Sequence, residues 1–215
     1  MKTNNDSIIA ILGGAGKSGR PLVGETLAAG YSVRVLLRHP QEFNLSHERL
    51  EVIQGDARDP ECVRKLLQGS NALLSTLGHT KGEPTPMMAT ATQNFVAIME
   101  ELGVSRCVVV TSLFVTGYEQ LDAKTQQAVD YMQQHYSLFM DDRRLEFKVL
   151  SESTLDWTYV RVPYIVQNPS AGGVDVDLNH LPGQQIAAID LAHFLISQLH
   201  DLRYIRLSPF VASKP

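Results

Sequence analysis

The chain has 215 residues, of which 44% are hydrophobic and 20% are charged, and its formal net charge is −4. This composition predicts a single domain over residues 1–215 with a full core, and the negative charge excludes a general attraction to nucleic acid or to anionic membranes. Because no apolar stretch approaches the roughly eighteen residues of a membrane span and the polar N-terminus lacks a signal-peptide core, we expect a cytoplasmic protein.

The first predicted strand, Ile8–Leu12, runs directly into three glycines spaced G-x-x-G-x-x-G, which are Gly13, Gly16 and Gly19. Such glycines allow a tight turn, a close approach of a diphosphate to the backbone, and close packing of the following helix. The start of that helix presents unpaired N–H groups and the positive end of its dipole to the same point. By itself, the pattern fits equally well a turn that binds nothing.

The next elements complete a βαβ unit. Apolar residues recur at helical spacing over Pro21–Ala29, Gly30 stands where helices commonly end, and Ser32–Leu37 has the composition of a buried strand. Strand, glycine turn, helix and strand together occupy about thirty residues, the size of one right-handed βαβ unit. This context favours a dinucleotide site over an empty turn.

The residue after the second strand indicates which dinucleotide is bound. NAD sites place an Asp or Glu there to accept a hydrogen bond from the ribose 2′-hydroxyl, whereas this chain has Arg38 and no carboxylate. A guanidinium forms forked, charge-assisted bonds with a 2′-phosphate, and Lys17 in the glycine turn adds positive charge nearby. We therefore expect NADP(H) to be preferred over NAD(H), although Arg38 also fits an ordinary surface cation.

Strands and helices continue to alternate along the chain. Further strands are predicted over Leu50–Gln54, Ala72–Leu77, Arg106–Thr111, Trp157–Arg161 and Tyr204–Leu207, and helices over Pro60–Leu67, Met87–Leu102, Leu121–Met140, Asp141–Glu152 and Ala187–His200, the last capped by Asp190. This succession predicts an α/β fold of the Rossmann type, a doubly wound parallel sheet with helices on both faces.

Ligands of such sheets bind at the carboxyl ends of the strands. The residues there that we expect to bind the cofactor are Gly13, Ala15, Gly16, Lys17, Ser18, Arg38, Asp56, Ala57, Leu77, Gly78, Thr111 and Pro163. Asp56 can accept a hydrogen bond from the adenine amino group, and a carboxylate after a glycine is equally common as a turn former. The His and Cys residues do not have the spacing of a metal site, so no metal is expected.

Several motifs occur here in the same order as in a known family. They are G-G-A-G-K-S-G, V-L-L-R, G-D, T-L-G, G-V-S-R-C-V-V-V-T-S and D-D-R-R-L-E-F-K-V-L-S-E-S, between residues 13 and 153. With them the chain resembles the atypical short-chain dehydrogenase/reductase superfamily, and within it the NAD(P)H-binding group of biliverdin reductase B (flavin reductase) and the NmrA-like proteins. The resemblance implies a Rossmann fold, NADP(H), and reduction of flavins or other flat conjugated acceptors.

The resemblance also implies three catalytic candidates. Ser112 stands where the superfamily has its active-site serine, and Tyr164 where the biliverdin reductase group has a histidine beside the substrate. Of the usual Tyr-x-x-x-Lys pair, Lys148 is present, but Arg144 occupies the tyrosine position. Without that general acid, carbonyl reduction or sugar epimerisation by the usual route is disfavoured. Tyr164 fits a half-buried structural aromatic equally well.

The broken pair favours a small planar acceptor such as a flavin, a quinone or a biliverdin-like molecule. Hydride transfer to a delocalised ring needs mainly stacking, orientation and exclusion of water from the protein. We therefore predict an NADPH-dependent oxidoreductase, as a monomer or homodimer. The alternatives are a non-catalytic, NmrA-like NADP(H) sensor that signals through a partner, and an NAD(P)-dependent enzyme of the epimerase/dehydratase type.

Two segments, about 113–140 and 164–185, are predicted to form a small lobe on the substrate side. The first contains Phe114, Tyr118, Tyr131, Tyr136 and Phe139, which fit either a pocket wall that stacks a planar substrate or a helix packed on the core. Residues 169–183 are expected to form a mobile loop over the same pocket. His79 is a candidate substrate contact, although a solvated loop histidine is the more ordinary interpretation.

Overall fold

The computed structural model describes residues 7–78, 87–113, 116, 121–169 and 172–214. Its strands are β1 (Ile8–Leu12), β2 (Ser32–Leu37), β3 (Leu50–Gln54), β4 (Ala72–Ser75), β5 (Arg106–Thr111), β6 (Asp156–Arg161), β7 (Tyr164–Val166), β8 (Val174–Asp177), β9 (Gln185–Ala187) and β10 (Phe210–Ser213). Its helices are α1 (Gly19–Ala28), α2 (Pro60–Leu67), α3 (Met88–Leu102), α4 (Ala123–His135), α5 (Ser137–Glu152) and α6 (Ala188–Ser197). A short 3₁₀ turn covers Pro40–Glu42.

One sheet holds eight of these strands in the order β3-β2-β1-β4-β5-β6-β10-β8. Neighbouring strands from β3 through β10 are parallel, and β8 pairs antiparallel with β10. β7 and β9 form a separate parallel pair. The predicted Rossmann-type fold is confirmed. The strand order reverses between β1 and β4, which is where doubly wound sheets bind their ligands.

Helices cover both faces of the sheet and bury its strands. One core cluster joins the sheet to α2, α3 and α5, with Leu66, Phe95 and Phe147 among its members. The other joins it to α1 and α6 through residues such as Leu22 and Leu195. Every residue of β5 is buried. Burial on both faces explains why the central strands are continuous apolar runs rather than alternating ones.

The single helix predicted over Leu121–Met140 is wrong. The chain forms α4, whose cap Asp122 accepts a hydrogen bond from the Thr125 backbone N–H at 2.7 Å, and then begins α5 at Ser137. Tyr136 separates the two helices with a non-helical φ of −136° and ψ of 35°. α5 includes the helix predicted separately over 141–152. Since helical apolar spacing continues across the break, periodicity alone could not locate it.

Three expectations near the C-terminus are also wrong. Tyr204–Leu207 is a turn with a single bridge to Thr158, and the last strand is β10. Asp190 does not cap α6, because its buried carboxylate accepts a hydrogen bond from the Ser213 hydroxyl at 2.6 Å and thereby ties α6 to β10. The segment 169–183, expected to be a loop, contains β8, which extends the sheet beyond β10.

Candidate functional site

A cavity of about 1120 Å³ opens at the carboxyl ends of the central strands. The predicted site residues that line it are Gly13, Ala15, Gly16, Lys17, Ser18, Arg38, Ala57, Leu77, Gly78, Thr111, Ser112, Pro163 and Tyr164. Asp56 and Lys148 do not line it. The fold therefore brings together predicted site residues that are far apart in the sequence.

The cavity has two chemically different halves. The glycine-turn half is lined by Gly13, Ala15, Gly16, Lys17, Ser18, Arg38, His39, Glu42, Gly55 and Ala57. The methionine half is lined by Met87, Met88, Leu113, Met132, Tyr136, Phe139, Met140, Arg143, Tyr164 and Ile165. Leu77, Thr111 and Ser112 lie between the two halves, at the ends of β4 and β5.

The glycine turn packs closely and leads into the uncapped N-terminus of α1. Gly13 has a φ of +78°, and a Cβ there would lie 2.6 Å from the Thr76 carbonyl carbon, so only glycine fits. A Cβ at Gly19 would collide with the Gly13 carbonyl oxygen. α1 has no acidic residue in its first turn, and its N-cap Ser18 makes no side-chain capping bond. The positive end of the α1 dipole is therefore uncompensated, which fits a diphosphate.

Arg20 connects the glycine turn to the segment that follows β2. Its Nε donates to the Ala15 carbonyl at 3.1 Å and its Nη2 donates to the Glu42 carbonyl at 2.9 Å. The guanidinium carbon lies 5.4 Å from the centre of the Phe43 ring. One side chain thus holds together the two loops that line the glycine-turn half. The sequence prediction missed this role, because Arg20 has no motif that distinguishes it from a surface cation.

The far end of the glycine-turn half carries both signs of charge. Arg38 and His39 line it as the sequence suggests, but the 3₁₀ turn after β2 also brings Glu42 to the cavity. The sequence prediction considered only the residues directly after β2, which include no carboxylate, and so did not include Glu42. Asp56 lies outside the cavity and pairs with Arg58 at 2.6 Å. The hydrogen bond from Arg58 holds the pKa of the Asp56 carboxyl below its usual value.

Helix α5 presents a different face to the cavity from the one that the Tyr-x-x-x-Lys alignment predicts. Arg144 and Lys148 are both exposed, and Arg144 pairs with Asp141 on the surface. One residue earlier, Arg143 is only 7% exposed and lines the methionine half. Successive helical residues are rotated by about 100° around the helix axis, and residues four apart lie on the same face. Arg144 and Lys148 therefore share the outward face, and the cation that faces the cavity is Arg143. This placement does not support Lys148 as a catalytic residue.

Arg143 belongs to a buried polar network. Its Nη1 donates to Glu146 Oε2 at 2.6 Å and its Nη2 donates to the Leu77 carbonyl at 3.1 Å. The Tyr159 hydroxyl donates to the same Glu146 oxygen at 2.6 Å. Burial, reinforced by the Glu146 carboxylate, raises the pKa of Tyr159 well above its ordinary value, so the phenol keeps its proton. The R-x-x-E spacing at 143–146 was the sequence signal for this pair.

Asp142 fixes α5 against α3. Its carboxylate oxygens accept hydrogen bonds from the backbone N–H groups of Met88 (2.9 Å) and Ala89 (3.2 Å) at the start of α3. A carboxylate at a helix N-terminus satisfies donors that have no partner within the helix. Asp142 and Arg143 together therefore hold α5 in one orientation beside the cavity.

The other predicted residues are placed as follows. Tyr136 and Phe139 line the methionine half, whereas Tyr131 does not. Tyr164 is 71% exposed and lies at the rim of the cavity. His79, Phe114 and Tyr118 lie outside the described residues. In the part of the chain that the structure describes, no group of three metal-ligating side chains occurs and no helix is long and apolar enough to cross a membrane.

Comparison with known proteins identifies the family. The sequence profile of a family described as NAD(P)H-binding matches residues 13–202. The chain belongs to this NAD(P)H-binding family. The match begins at the first glycine of the turn and continues past α6, so it includes every residue that lines the cavity except Leu12 at the end of β1.

Similar structures have the same fold as this family member. A short-chain dehydrogenase/reductase of Veillonella parvula, solved with NADP, has a TM-score of 0.79 and 17% identity and covers 96% of this chain and 94% of its own. ChuY, an anaerobillin reductase of Escherichia coli O157:H7, has a TM-score of 0.79 and 18% identity over 97% of this chain and 100% of its own.

A curated relative matches a shorter part of the chain. Photosystem II assembly factor Ycf39 of Trieres chinensis is 39% identical over 69 residues. That match covers 32% of this chain and 22% of the relative's length.

Proposed function

We propose that the protein is an NADPH-dependent oxidoreductase that transfers hydride to a small planar acceptor such as a flavin, a quinone or a biliverdin-like molecule. The supporting observation is that the glycine-turn half and the methionine half form one continuous cavity. Its volume of about 1120 Å³ exceeds the roughly 300–1,000 Å³ typical of a site for one small ligand. A cofactor anchored at the glycine turn leaves the methionine half for the acceptor.

The preference for NADPH rests on the cations of the glycine-turn half. Arg38 and Lys17 both line it, and either can bind a 2′-phosphate. Glu42 lines the same end and repels an additional phosphate. We therefore expect the preference for NADPH over NADH to be modest. A structural neighbour solved with NADP supports a cofactor of this class.

The methionine half suits a flat, conjugated molecule. Methionine side chains adapt to different shapes, and the rings of Tyr136 and Phe139 offer stacking surfaces. Bound NADPH supplies a hydride from C4 of its nicotinamide ring. Ser112, between the halves, orients the reacting groups by a hydrogen bond, and Tyr164 at the rim contacts the acceptor. The anaerobillin reductase among the structural neighbours supports an acceptor of this shape.

Steady-state oxidation of NADPH tests the proposal. We expect the purified protein to consume NADPH in the presence of FMN, menadione or biliverdin, measured by loss of NADPH absorbance. Ser112→Ala is expected to lower kcat by about 10-fold. Ser105→Ala, at the exposed opposite end of β5, is the matched control and should leave kcat unchanged. Tight NADPH binding without turnover of any of the three acceptors contradicts the proposal.

A non-catalytic dinucleotide sensor is the second candidate. The observation that favours it is the outward orientation of Arg144 and Lys148, which leaves the cavity without the tyrosine and lysine of ordinary superfamily members. The same observation disfavours an epimerase or dehydratase, because those reactions depend on that pair as acid and base. A sensor binds NADPH as tightly as an enzyme does, so turnover is the measurement that separates the two.

A further inference from the structure

One buried cation faces the acceptor's side of the cavity. Among the described residues that line the methionine half, Arg143 carries the charge, and the others are apolar, aromatic or thioether side chains. Desolvation opposes the charge on Arg143, but Glu146, together with Tyr159 and Asp142, outweighs it and raises the pKa of Arg143 above its ordinary value. The guanidinium is therefore permanently charged in a mostly apolar wall.

The ion pair of Arg143 with Glu146 has its cation at the cavity and its carboxylate away from it. Arg143 lines the cavity, whereas Glu146 does not and is only 2% exposed. Glu146 is held from behind by the Tyr159 hydroxyl, and Arg143 is held toward β4 by the Leu77 carbonyl. The pair is neutral as a whole, but its cation is the member that lines the cavity, next to the Leu77 carbonyl that follows β4.

We propose that Arg143 is a catalytic residue that stabilises the negative charge developing on a conjugated carbonyl oxygen of the acceptor during its reduction. This inference rests on the proposed function and narrows its substrate class to planar acceptors that carry such a carbonyl, as quinones and flavins do. A neutral acceptor of this kind brings no charge of its own to be desolvated, and the charge of Arg143 in the wall is balanced by Glu146.

The electron balance of the reaction explains why negative charge develops on the acceptor's carbonyl oxygen. The C–H bond at C4 of the nicotinamide breaks, and its hydride forms a C–H bond at a conjugated carbon of a quinone or an N–H bond at N5 of a flavin, so the acceptor is reduced and the cofactor is oxidised. The electron pair of the conjugated carbonyl moves onto its oxygen, which then takes a proton from water. Fixed donors that face a developing oxyanion in a water-poor site contribute strongly to the rate, because they need no reorganisation.

A pair of neighbouring variants isolates this role. Arg143→Gln removes the inward-facing cation, and Arg144→Gln removes the exposed one that follows it on the same helix. With menadione as acceptor, we expect Arg143→Gln to lower kcat by about 100-fold and to change the KM for menadione by less than about 3-fold. Arg144→Gln should stay within about 2-fold of the wild type, since its surface pair contributes little.

Folding of the variant requires a separate control, because Arg143→Gln leaves Glu146 buried without its cation. The double variant Arg143→Gln/Glu146→Gln removes both charges and should restore the melting temperature. We expect its kcat to remain about 100-fold low. With NADPH deuterated at both C4 positions, the isotope effect on kcat should rise in both variants, because hydride transfer becomes the slow step. A purely structural role for Arg143 predicts that the double variant recovers wild-type kcat.

The outcomes separate this inference from the proposed function. If the wild-type protein binds NADPH but reduces no acceptor, the reductase proposal and the role of Arg143 are both contradicted. If the wild type reduces menadione and Arg143→Gln is as active as Arg144→Gln, or if the double variant regains activity, the role of Arg143 is overturned while the reductase proposal stands.

Discussion

The two halves of the cavity are built in different ways. The glycine-turn half depends on backbone geometry within about thirty consecutive residues, where Gly13 and Gly19 allow the turn to pack closely against its own backbone and that of Thr76, and α1 supplies the dipole. The methionine half depends on side chains from α3, α4, α5 and the segments after β5 and β6. A short motif therefore specifies the first half, whereas only the packing of distant elements specifies the second.

The largest expected effect is at Gly13. Gly13→Ala places a Cβ 2.6 Å from the Thr76 carbonyl carbon at a φ of +78°, so the turn must move. We expect NADPH affinity to fall by at least about 100-fold in isothermal titration calorimetry, because strain and displacement of the turn both oppose binding.

Gly24→Ala is the matched control for Gly13→Ala. Gly24 lies inside α1 and a Cβ there meets nothing within 4 Å. It should leave affinity unchanged and stabilise the protein by about 1 kcal/mol. Equal NADPH affinity in the two variants would show that the glycine turn is not the binding site.

Asp142 tests whether the packing of α5 against α3, beside the methionine half, can be destabilised without a change in cofactor binding. Asp142→Ala removes the acceptor of the Met88 and Ala89 N–H groups, and we expect the free energy of unfolding to fall by about 2 kcal/mol in urea titration. The NADPH affinity should change by less than about 3-fold, because Asp142 does not line the glycine-turn half.

The adjacent Asp141 provides the control for Asp142. It is exposed and pairs with Arg144 at the surface, so Asp141→Ala should change the free energy of unfolding by less than about 0.5 kcal/mol. Identical unfolding curves for the two variants would contradict the anchoring role of Asp142.

A smaller effect is expected from the cation at the end of β2. Arg38→Gln should weaken NADPH binding by about 10-fold and leave NADH binding within about 2-fold, because only the 2′-phosphate needs the guanidinium. Calorimetry with both nucleotides measures the difference. Glu42→Gln provides the opposite perturbation and should strengthen NADPH binding by a few-fold. Equal losses for both nucleotides in Arg38→Gln would assign Arg38 to another part of the cofactor.

The smallest expected effect is at Arg20. Arg20→Gln loses the bonds to the Ala15 and Glu42 carbonyls, which only position the two loops. We expect NADPH affinity to fall by about 3- to 5-fold in a fluorescence titration, with stability almost unchanged. Arg64→Gln, which removes an exposed pair with Glu101 outside the cavity, is the control and should have no effect on affinity. An unaltered affinity in Arg20→Gln would mean that the loops hold their positions without it.

Local patterns predicted most of the fold because they report directly on burial. The apolar runs of β1, β2 and β5 and the helical spacing of α1, α2 and α3 follow from strands and helices that bury one side or both. The errors occurred where tertiary contacts override such patterns. Tyr136 breaks a continuous amphipathic segment, and Asp190 bonds to Ser213 on a distant strand instead of capping its own helix.

The candidate site shows the same division. The sequence by itself determined the α/β fold, the glycine turn and the cation after β2, because strand, turn and helix within one βαβ unit are set by near neighbours in the chain. Only the tertiary structure decided that Arg143 rather than Lys148 faces the cavity and that Glu42 returns to the end of β2. The rotation of a helix against a sheet and the path of a loop depend on contacts such as those of Asp142 and Arg20, which join residues far apart in the sequence.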